Sequence, residues 1–335
     1  MVKNNHLLLA ENIRFGVPGR RRRILDIPRI ALHKGKIVFA LGANGAGKSS
    51  LLQFLAGRLY VPEARLLLHG KLLPALSEKL LPGYRGIELI HQEPDLNPHF
   101  RVDEELDRHL RVFDPGTSSR KKQQLVRKFR LWPLLNQKTG SISGGERRRL
   151  ALACALAGSP EIILLDEPFS DLDAEGRNLL SSLILEMAAE GISFLIVSHN
   201  GSDAHWLADE IWTLDSGRLI ERLVRKEEGF IPQKRKTASL LGYRNMLPAG
   251  MFPVQGELQN GTLCIPEDRI VPFTKGLLDL GPAVCLRIRA GSHGFQCMWK
   301  TEFGMLFSTG VSFQNPEEGK EIRIGVNPRD VFQLK

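Results

Sequence analysis

The 335-residue sequence lacks several features that define other classes of protein. No uncharged apolar run approaches the roughly 18 to 20 residues that a membrane-spanning helix needs. The N-terminal stretch has one short apolar patch and no small-residue cleavage site, so we expect no signal peptide. The four cysteines, Cys154, Cys264, Cys285 and Cys297, show no metal-ligand spacing. We therefore expect reduced thiols in a cytosolic protein.

Acidic residues are the minority among the charged side chains, since 46 lysines and arginines face 37 aspartates and glutamates and give a net charge of +9. This excess fits nucleic acid or an anionic membrane surface as a partner. It also fits basic side chains scattered over a solvated surface. The densest basic run, Gly19–Arg23, lies between two apolar segments and favours a hairpin turn over a lipid-headgroup site.

Continuous apolar strands alternate with helices in the first two thirds of the chain. KIVFAL precedes a glycine loop and a helix, and the strands EIILLDEP and ISFLIVSH flank an amphipathic helix. Such strands are typical of a parallel sheet covered on both faces, so we predict an α/β domain over residues 1–222. Residues from about 93 to 150 are charged and contain Pro98, Pro115 and Pro133. We interpret them as a helical subdomain.

The last third of the chain has a different pattern. Residues 223–244 are polar and basic with no clear period, which predicts a linker. From residue 245 to 335, short apolar runs are separated by glycine and proline turns. This all-β pattern predicts a small barrel.

The segment Gly42–Ser49, GANGAGKS, matches the phosphate-loop pattern and stands between a predicted strand and a predicted helix. Backbone N–H groups of such a loop surround the phosphates, the lysine adds a positive charge, and the Ser49 hydroxyl can bind Mg²⁺. The predicted nucleotide-binding residues are Gly42, Asn44, Gly45, Gly47, Lys48, Ser49 and Ser50.

Polar residues follow three further predicted strands. In Ile162–Pro168, Asp166 would hold Mg²⁺ and Glu167 would orient and deprotonate the attacking water. His199 ends the next strand, where it either polarises the γ-phosphate or the water, or merely ends the strand. Gln92 follows another strand, and its amide could reach both the metal and the water.

These motifs, with SISGGE, SDLD and SH in their order, resemble the ATP-binding cassette ATPases over about residues 7 to 220. The resemblance implies an α/β P-loop NTPase fold with a helical subdomain, and ATP and Mg²⁺ as cofactors. It also implies that two chains pair head to tail. Ser143, Gly144 and Gly145 would then complete the ATP site of the partner, and the loop Ser170–Asp173, with Asp173 at the nucleotide, would link the two sites. A homodimer or a pair with a different cassette is expected, because the chain has one phosphate loop.

Three positions depart from the family pattern. The signature often reads Leu-Ser-Gly-Gly-Gln, whereas Ile142 precedes the serine here and Glu146 replaces the glutamine. The aromatic residue that stacks on adenine would be Phe15, where tyrosine is commoner. Phe15 could equally be a core residue.

Other branches of the superfamily fit less well. Chromosome and DNA-repair members insert a long coiled coil before the signature, but this gap has no sustained heptads, and translation factors carry two cassettes. We therefore predict an importer subunit at the cytoplasmic face of the membrane, without nucleic acid as a partner. It would contact separate permease subunits through Gln92 to about Phe100, and a substrate-binding protein through them. The alternative is a soluble or exporter-linked ATPase whose β-domain docks a protein.

The C-terminal region resembles the transport-associated OB-type barrel of importer ATPases, on Asn245–Pro248 and Val326–Val331. An unrelated small β-domain is the alternative. Importers with this tail handle sugars, polyamines, ferric iron, sulfate and molybdate-type oxyanions. Arg287 and Arg289, in Leu286–His293, favour molybdate or tungstate, although an exposed strand face has the same alternation.

Overall fold

A computed structural model describes residues 6–16, 23–78, 81–227, 229–248, 261–291, 294–310, 312–313 and 316–334. The chain divides into two compact units, Met1–Arg225 and Lys226–Lys335. Of the basic run Gly19–Arg23, only Arg23 lies among the described residues, and His293 lies outside them.

The first unit contains both sheets and helices. Its strands are β1 (Leu8–Gly16), β2 (Arg23–Leu32), β3 (Ile37–Leu41), β4 (Arg65–Leu68), β5 (Lys71–Leu72), β6 (Ile87–Ile90), β7 (Ile162–Asp166), β8 (Ser193–Ser198), β9 (Glu210–Asp215) and β10 (Arg218–Val224). Its helices are α1 (Lys48–Leu55), α2 (Val102–Leu110), α3 (Pro115–Lys128), α4 (Gly144–Ala157), α5 (Ala174–Ala189) and α6 (Ala204–Leu207), with 3₁₀ turns at Leu76–Glu78 and Trp132–Leu134.

The predicted parallel sheet is confirmed. Its strands lie in the order β10, β9, β3, β8, β7, β6, and in this part of the described chain all neighbours pair in parallel except β10 with β9. Every residue of β3 and β8 is buried, as expected for strands covered on both faces. A second, antiparallel sheet has the order β2, β1, β4, β5.

Strand register brings the functional segments together. Leu41, the last residue of β3, pairs with Ser198 at the end of β8, and Asp166 at the end of β7 pairs with Val197. The three strands therefore end at the same edge of the sheet. The phosphate loop, the acidic pair and His199 follow these ends directly.

Helices fill the segment that the sequence assigns to a helical subdomain, and the last of them, α4, continues past residue 150 to Ala157. Pro115 begins α3 rather than interrupting a helix, because its fixed φ and missing N–H suit the first helical position. Asp114 caps the same helix by accepting a hydrogen bond from the Thr117 N–H. Pro133 lies within a 3₁₀ turn.

The second unit is β-rich. Helix α7 (Arg235–Leu240) precedes β11 (Asn245–Pro248), β12 (Thr262–Ile265), β13 (Val271–Pro272), β14 (Leu278–Gly291), β15 (Gly294–Thr301), β16 (Gly304–Gly310), β17 (Glu321–Val326) and β18 (Phe332–Leu334). The described strands form two antiparallel sheets, β11-β12-β18 and β13-β17-β14-β15-β16. Residues from both sheets, including Leu263 and Trp299, share one apolar core. The OB-type barrel stays a prediction.

Residues 223–244, predicted as a linker, contain regular structure in this fold. They include the end of β10 and the whole of α7, in which Thr237 and Ala238 are buried. The helix has six residues and buries only these two small side chains, so it leaves no apolar period in the sequence.

Asn245 joins the two sheets of the second unit. Its side chain is fully buried, donates from Nδ2 to the Phe307 carbonyl at 2.7 Å and accepts from the Phe307 N–H at 2.7 Å. Both bonds reach β16 from the first residue of β11. The side chain thus satisfies backbone groups that β16 leaves unpaired at this position.

We expect Asn245→Ala to lower the stability of the second unit by about 2–4 kcal/mol, because two buried backbone groups lose their partners. Hydrogen exchange of the β14–β16 amides in the whole chain measures this change. Gln296→Ala, at an exposed position of β15, should shift the same amides by no more than about 0.5 kcal/mol. Equal protection in both variants would contradict the assigned role of Asn245.

Candidate nucleotide site

The phosphate loop has a backbone that only glycine fits at two positions. Gly45 and Gly47 have φ values of 77° and 99°. A Cβ at Gly47 would lie 2.8 Å from the Ile24 carbonyl oxygen. Asn44, Gly45 and Ser49 are exposed, whereas Gly42 is buried and Ser50 is partly buried. The loop leads into the N-terminus of α1, where free N–H groups attract anions.

Lys48 reaches back over the loop from the first turn of α1. Its Nζ donates to the carbonyl oxygens of Gly42 at 2.8 Å and Ala43 at 3.2 Å, and lies 3.9 Å from Oε1 of Glu167. Burial lowers the pKa of Lys48, while the charges of Glu167 and Asp166 oppose that shift. The side chain is only 7% exposed. Its ammonium group is therefore held against the loop, where it could also bind the phosphate oxygens of a nucleotide.

Two of the three predicted magnesium ligands, Ser49 and Asp166, meet at the end of β7. Burial raises the pKa of Asp166, and a hydrogen bond with Ser49 works against that rise. Hydroxyl and carboxylate oxygens are the ligands that Mg²⁺ prefers. The pair therefore fits a magnesium ion held jointly by Ser49, Asp166 and nucleotide phosphates.

Glu167 is held in a strained backbone conformation. Its φ is 47°, in the left-handed region that costs a residue with a side chain about 1–3 kcal/mol. Its N–H donates to the Val197 carbonyl at 3.0 Å. Oε2 accepts a hydrogen bond from the Ser198 hydroxyl at 3.2 Å, and Oε1 lies 3.0 Å from Nδ1 of His199. The end of β8 thus fixes a carboxylate that is 13% exposed beside an imidazole that is 58% exposed.

The signature segment forms a capping box at the start of α4. The Ser143 hydroxyl accepts from the Glu146 N–H at 3.3 Å, and the Ser143 N–H donates to Oε2 of Glu146 at 2.8 Å. The hydroxyl keeps its own proton for another acceptor. Ser143, Gly144 and Gly145 line a cavity with Leu172, Asp173 and Gly176. Asp173 also caps α5 by accepting a hydrogen bond from the Gly176 N–H at 2.7 Å.

Comparison with known proteins shows the family to which the chain belongs. The family model described as ABC transporter matches residues 25–170. The probable sulfate/thiosulfate import ATP-binding protein CysA of Chlorella vulgaris is 34% identical over 242 residues, which cover 71% of this chain and 99% of that protein. The chain belongs to the ABC transporter family. The prediction from the motifs is confirmed, and the chain is an ATP-binding ATPase subunit of this family.

A longer match reaches beyond the first unit. The Fe(3+) ions import ATP-binding protein FbpC of Streptomyces avermitilis is 29% identical over 293 residues, covering 87% of this chain and 82% of that protein. This match is longer than Met1–Arg225 and so includes part of the second unit.

A solved structure supports the fold. CbiO1 of Clostridium perfringens, part of the ABC transporter complex CbiONQ, superposes with a TM-score of 0.59 at 24% identity, over 65% of this chain and 88% of that chain. Within the described residues, no helix of this ABC protein has the length and apolar character needed to cross a membrane.

Two predicted site residues of the ABC cassette lie at its margin. Gln92 is exposed, and its amide nitrogen donates to the Ser170 hydroxyl at 3.4 Å. Phe15 pairs with Leu25, next to the strand segment against which Gly47 packs, and it is half-buried against the core. Both the stacking and the core interpretation fit this position, and the metal role of Gln92 stays a prediction.

Three further side chains contribute to the site, and of these the sequence indicated only Ser170, as the start of the loop Ser170–Asp173. Ser198 donates to Glu167, and Ser170 and Arg148 lie together beside it. Ser198 and Ser170 belong to the SH and SDLD motifs, so their presence beside the site could have been expected. Arg148 stands in a run of three arginines in which only the fold distinguishes the buried one.

We expect Lys48→Ala to abolish ATP binding, because the buried ammonium is the one charge that the phosphate loop adds to its N–H groups. Thermal unfolding with and without ATP measures this. The parent chain should melt at a higher temperature with ATP, and the variant should not. Lys71→Ala, at an exposed position, should keep the full shift. A normal ATP-dependent rise in melting temperature in Lys48→Ala would contradict the assignment of this loop as the phosphate-binding site.

Proposed function

We propose that this chain is the ATP-hydrolysing subunit of a membrane importer, bound to permease subunits at the cytoplasmic face. The observation that carries the proposal is the cluster of Lys48, Ser49, Asp166, Glu167 and His199 at one edge of the sheet. The import names of the two relatives support the transport direction.

In the proposed reaction, Glu167 takes a proton from the water that attacks the γ-phosphate. His199, at 3.0 Å from its carboxylate, orients that carboxylate and interacts with the γ-phosphate. Lys48 neutralises charge on the β- and γ-phosphates. Mg²⁺, held by Ser49 and Asp166, would neutralise further phosphate charge, and the Gln92 amide would reach the metal and the attacking water. ADP and phosphate are the products.

We propose that two chains pair head to tail around two nucleotides. The cavity beside Ser143, Gly144 and Gly145 supports this, because its lining in the described residues contains no residue of the phosphate loop Gly42–Ser49. The signature N–H groups and the Ser143 hydroxyl would then serve the γ-phosphate bound by the other chain. Closure on ATP and opening after hydrolysis would drive the permease.

A groove beside the segment after Gln92 supports the permease contact. Pro94, Asp95 and Leu96 line it together with residues of α2 and α4, and Val112 on its wall is 80% exposed. A short cytoplasmic helix of a permease is the occupant that we propose. Movement there would reach the nucleotide through Gln92, which touches the Ser170 hydroxyl.

The second unit is proposed as a regulatory OB-type domain of the importer. The match to FbpC, which extends into this unit, supports the proposal. Arg287 and Arg289 are exposed on β14 opposite Met298 and Gln296. An exposed basic strand is the structural feature that favours an oxyanion. The two relatives' names differ, with the oxyanions sulfate and thiosulfate for one and the cation Fe(3+) for the other.

We expect Glu167→Gln to lower kcat by about 10²–10⁴-fold, because the base is lost while the phosphate contacts remain. The variant should accumulate as an ATP-bound dimer. ATPase assays and size-exclusion chromatography at saturating ATP measure both effects. Glu63→Gln, at a largely exposed position, should behave like the parent chain. A monomeric Glu167→Gln at saturating ATP would contradict the head-to-tail dimer.

The importer assignment predicts co-purification with a permease. The chain, tagged and isolated from native membranes in mild detergent, should carry a multi-helix membrane protein in near-equal amount, as mass spectrometry would detect. A substrate-binding protein recovered together with this membrane protein would then indicate the transported substrate. Recovery from the soluble fraction alone, with ATPase activity but no membrane protein, would favour the soluble or exporter-linked alternative.

A further inference from the structure

The hydroxyl of Ser170 connects three parts of the first unit. It accepts hydrogen bonds from Nη2 of Arg148 at 2.9 Å and from Nε2 of Gln92 at 3.4 Å, and it donates to the Glu167 carbonyl oxygen at 2.9 Å. A serine hydroxyl has one proton and two acceptor sites. These three bonds use its full capacity and fix the direction of its proton.

The turn that Ser170 closes is strained at both ends. Glu167 has a φ of 47° and Asp171 a φ of 57°. The Ser170 N–H also donates to the Glu167 carbonyl, at 3.2 Å. Residues in such conformations persist only where surrounding contacts over-determine them. The contacts of Ser170 are therefore part of what holds the Glu167 carboxylate in place.

Arg148 places a charged side chain at a buried position of α4, which costs free energy of desolvation. The residue is 9% exposed, and its Nε has no hydrogen-bond partner among the described residues. Burial lowers the pKa of its guanidinium, and Asp171 opposes this shift. An apolar side chain could fill a buried helix position without desolvating a charge. The hydrogen bond from Arg148 to Ser170 is an interaction that an apolar side chain could not supply.

We propose that Arg148 is a positioning residue for ATP hydrolysis, which ties the signature helix to the backbone of Glu167 through the Ser170 hydroxyl. Ser143, the N-cap, and Gly144 and Gly145 begin the same helix, about one turn before Arg148. Nucleotide contacts at the helix start thereby alter the orientation of Glu167 in the same chain. This inference rests on the proposed function, since it takes Glu167 as the base and a second chain as the source of that nucleotide.

The test compares Arg148→Met, Ser170→Ala and the double variant in the 335-residue chain. Each single variant should lower kcat by about tenfold or more, since small displacements of a catalytic group have effects of this size. The dissociation constant of a fluorescent ATP analogue should change by less than about twofold. The double variant should be no slower than the slower single variant, because both act through one connection.

Two further variants separate positioning from stability. Arg222→Met removes an exposed guanidinium that pairs with the buried Glu210, at the amino end of β9 and so at the opposite edge of the sheet. It should lower the melting temperature and leave kcat unchanged. Ser170→Thr keeps a hydroxyl and should recover most of the activity that Ser170→Ala loses.

Several results would overturn the inference: a parental kcat in Arg148→Met, effects that multiply in the double variant, or an equal loss of kcat in Arg222→Met. If Arg148→Met does not fold, Ser170→Ala decides, and an unchanged kcat there overturns the inference as well. A parent chain without ATPase activity would instead refute the proposed function and the inference with it.

Discussion

The alignment of three parallel strands is the constraint on which the nucleotide site depends. β3, β7 and β8 end in register at one edge of the sheet, and each delivers its polar residues there. Because the strands are buried on both faces, a shift along the strand axis would bring charged residues at the strand ends, such as Asp166, into the core. The packing of the core therefore also fixes the positions of the site residues. Lys48, Asp166, Glu167 and His199 meet because each lies at or shortly after an aligned strand end.

Electrostatics in this site are arranged before any phosphate arrives. Lys48 donates hydrogen bonds to two loop carbonyls. Burial lowers the pKa of Lys48, and the nearby carboxylates of Glu167 and Asp166 oppose that shift. Glu167 adds backbone strain, which contacts from Val197, Ser198 and Ser170 sustain. Preorganised charges of this kind cost stability in the empty protein and need little rearrangement during the reaction.

The N-terminus of the signature helix α4 is both capped by its own side chains and open to a cavity. Its serine caps the helix through Glu146, and its glycines open onto a cavity that contains no described residue of the phosphate loop. The acidic side chain at Glu146 stabilises the helix dipole but brings a negative charge towards any anion in that cavity. Helix capping and the proposed phosphate recognition would thus compete for the same N–H groups, a balance that glutamine at this position would shift.

The sequence by itself determined the family and the parallel sheet, and it predicted the phosphate-binding loop. Those features follow from local patterns: apolar strands at buried positions, glycines where φ is positive, and a lysine and a serine at fixed spacing. Local patterns also predicted helices in the subdomain and strands in the second unit, although α7 was hidden because its buried face consists of two small residues.

Only the tertiary structure decided which side chains act together. Ser170 meets Arg148 and Gln92 across 22 and 78 residues of sequence, and Asn245 reaches Phe307 across 62. Three consecutive arginines are equivalent in the sequence, and burial distinguishes Arg148 only when α4 packs beside the loop that contains Ser170. Such contacts arise from packing between distant segments, and hydrogen bonds of this kind leave no periodic pattern along the chain.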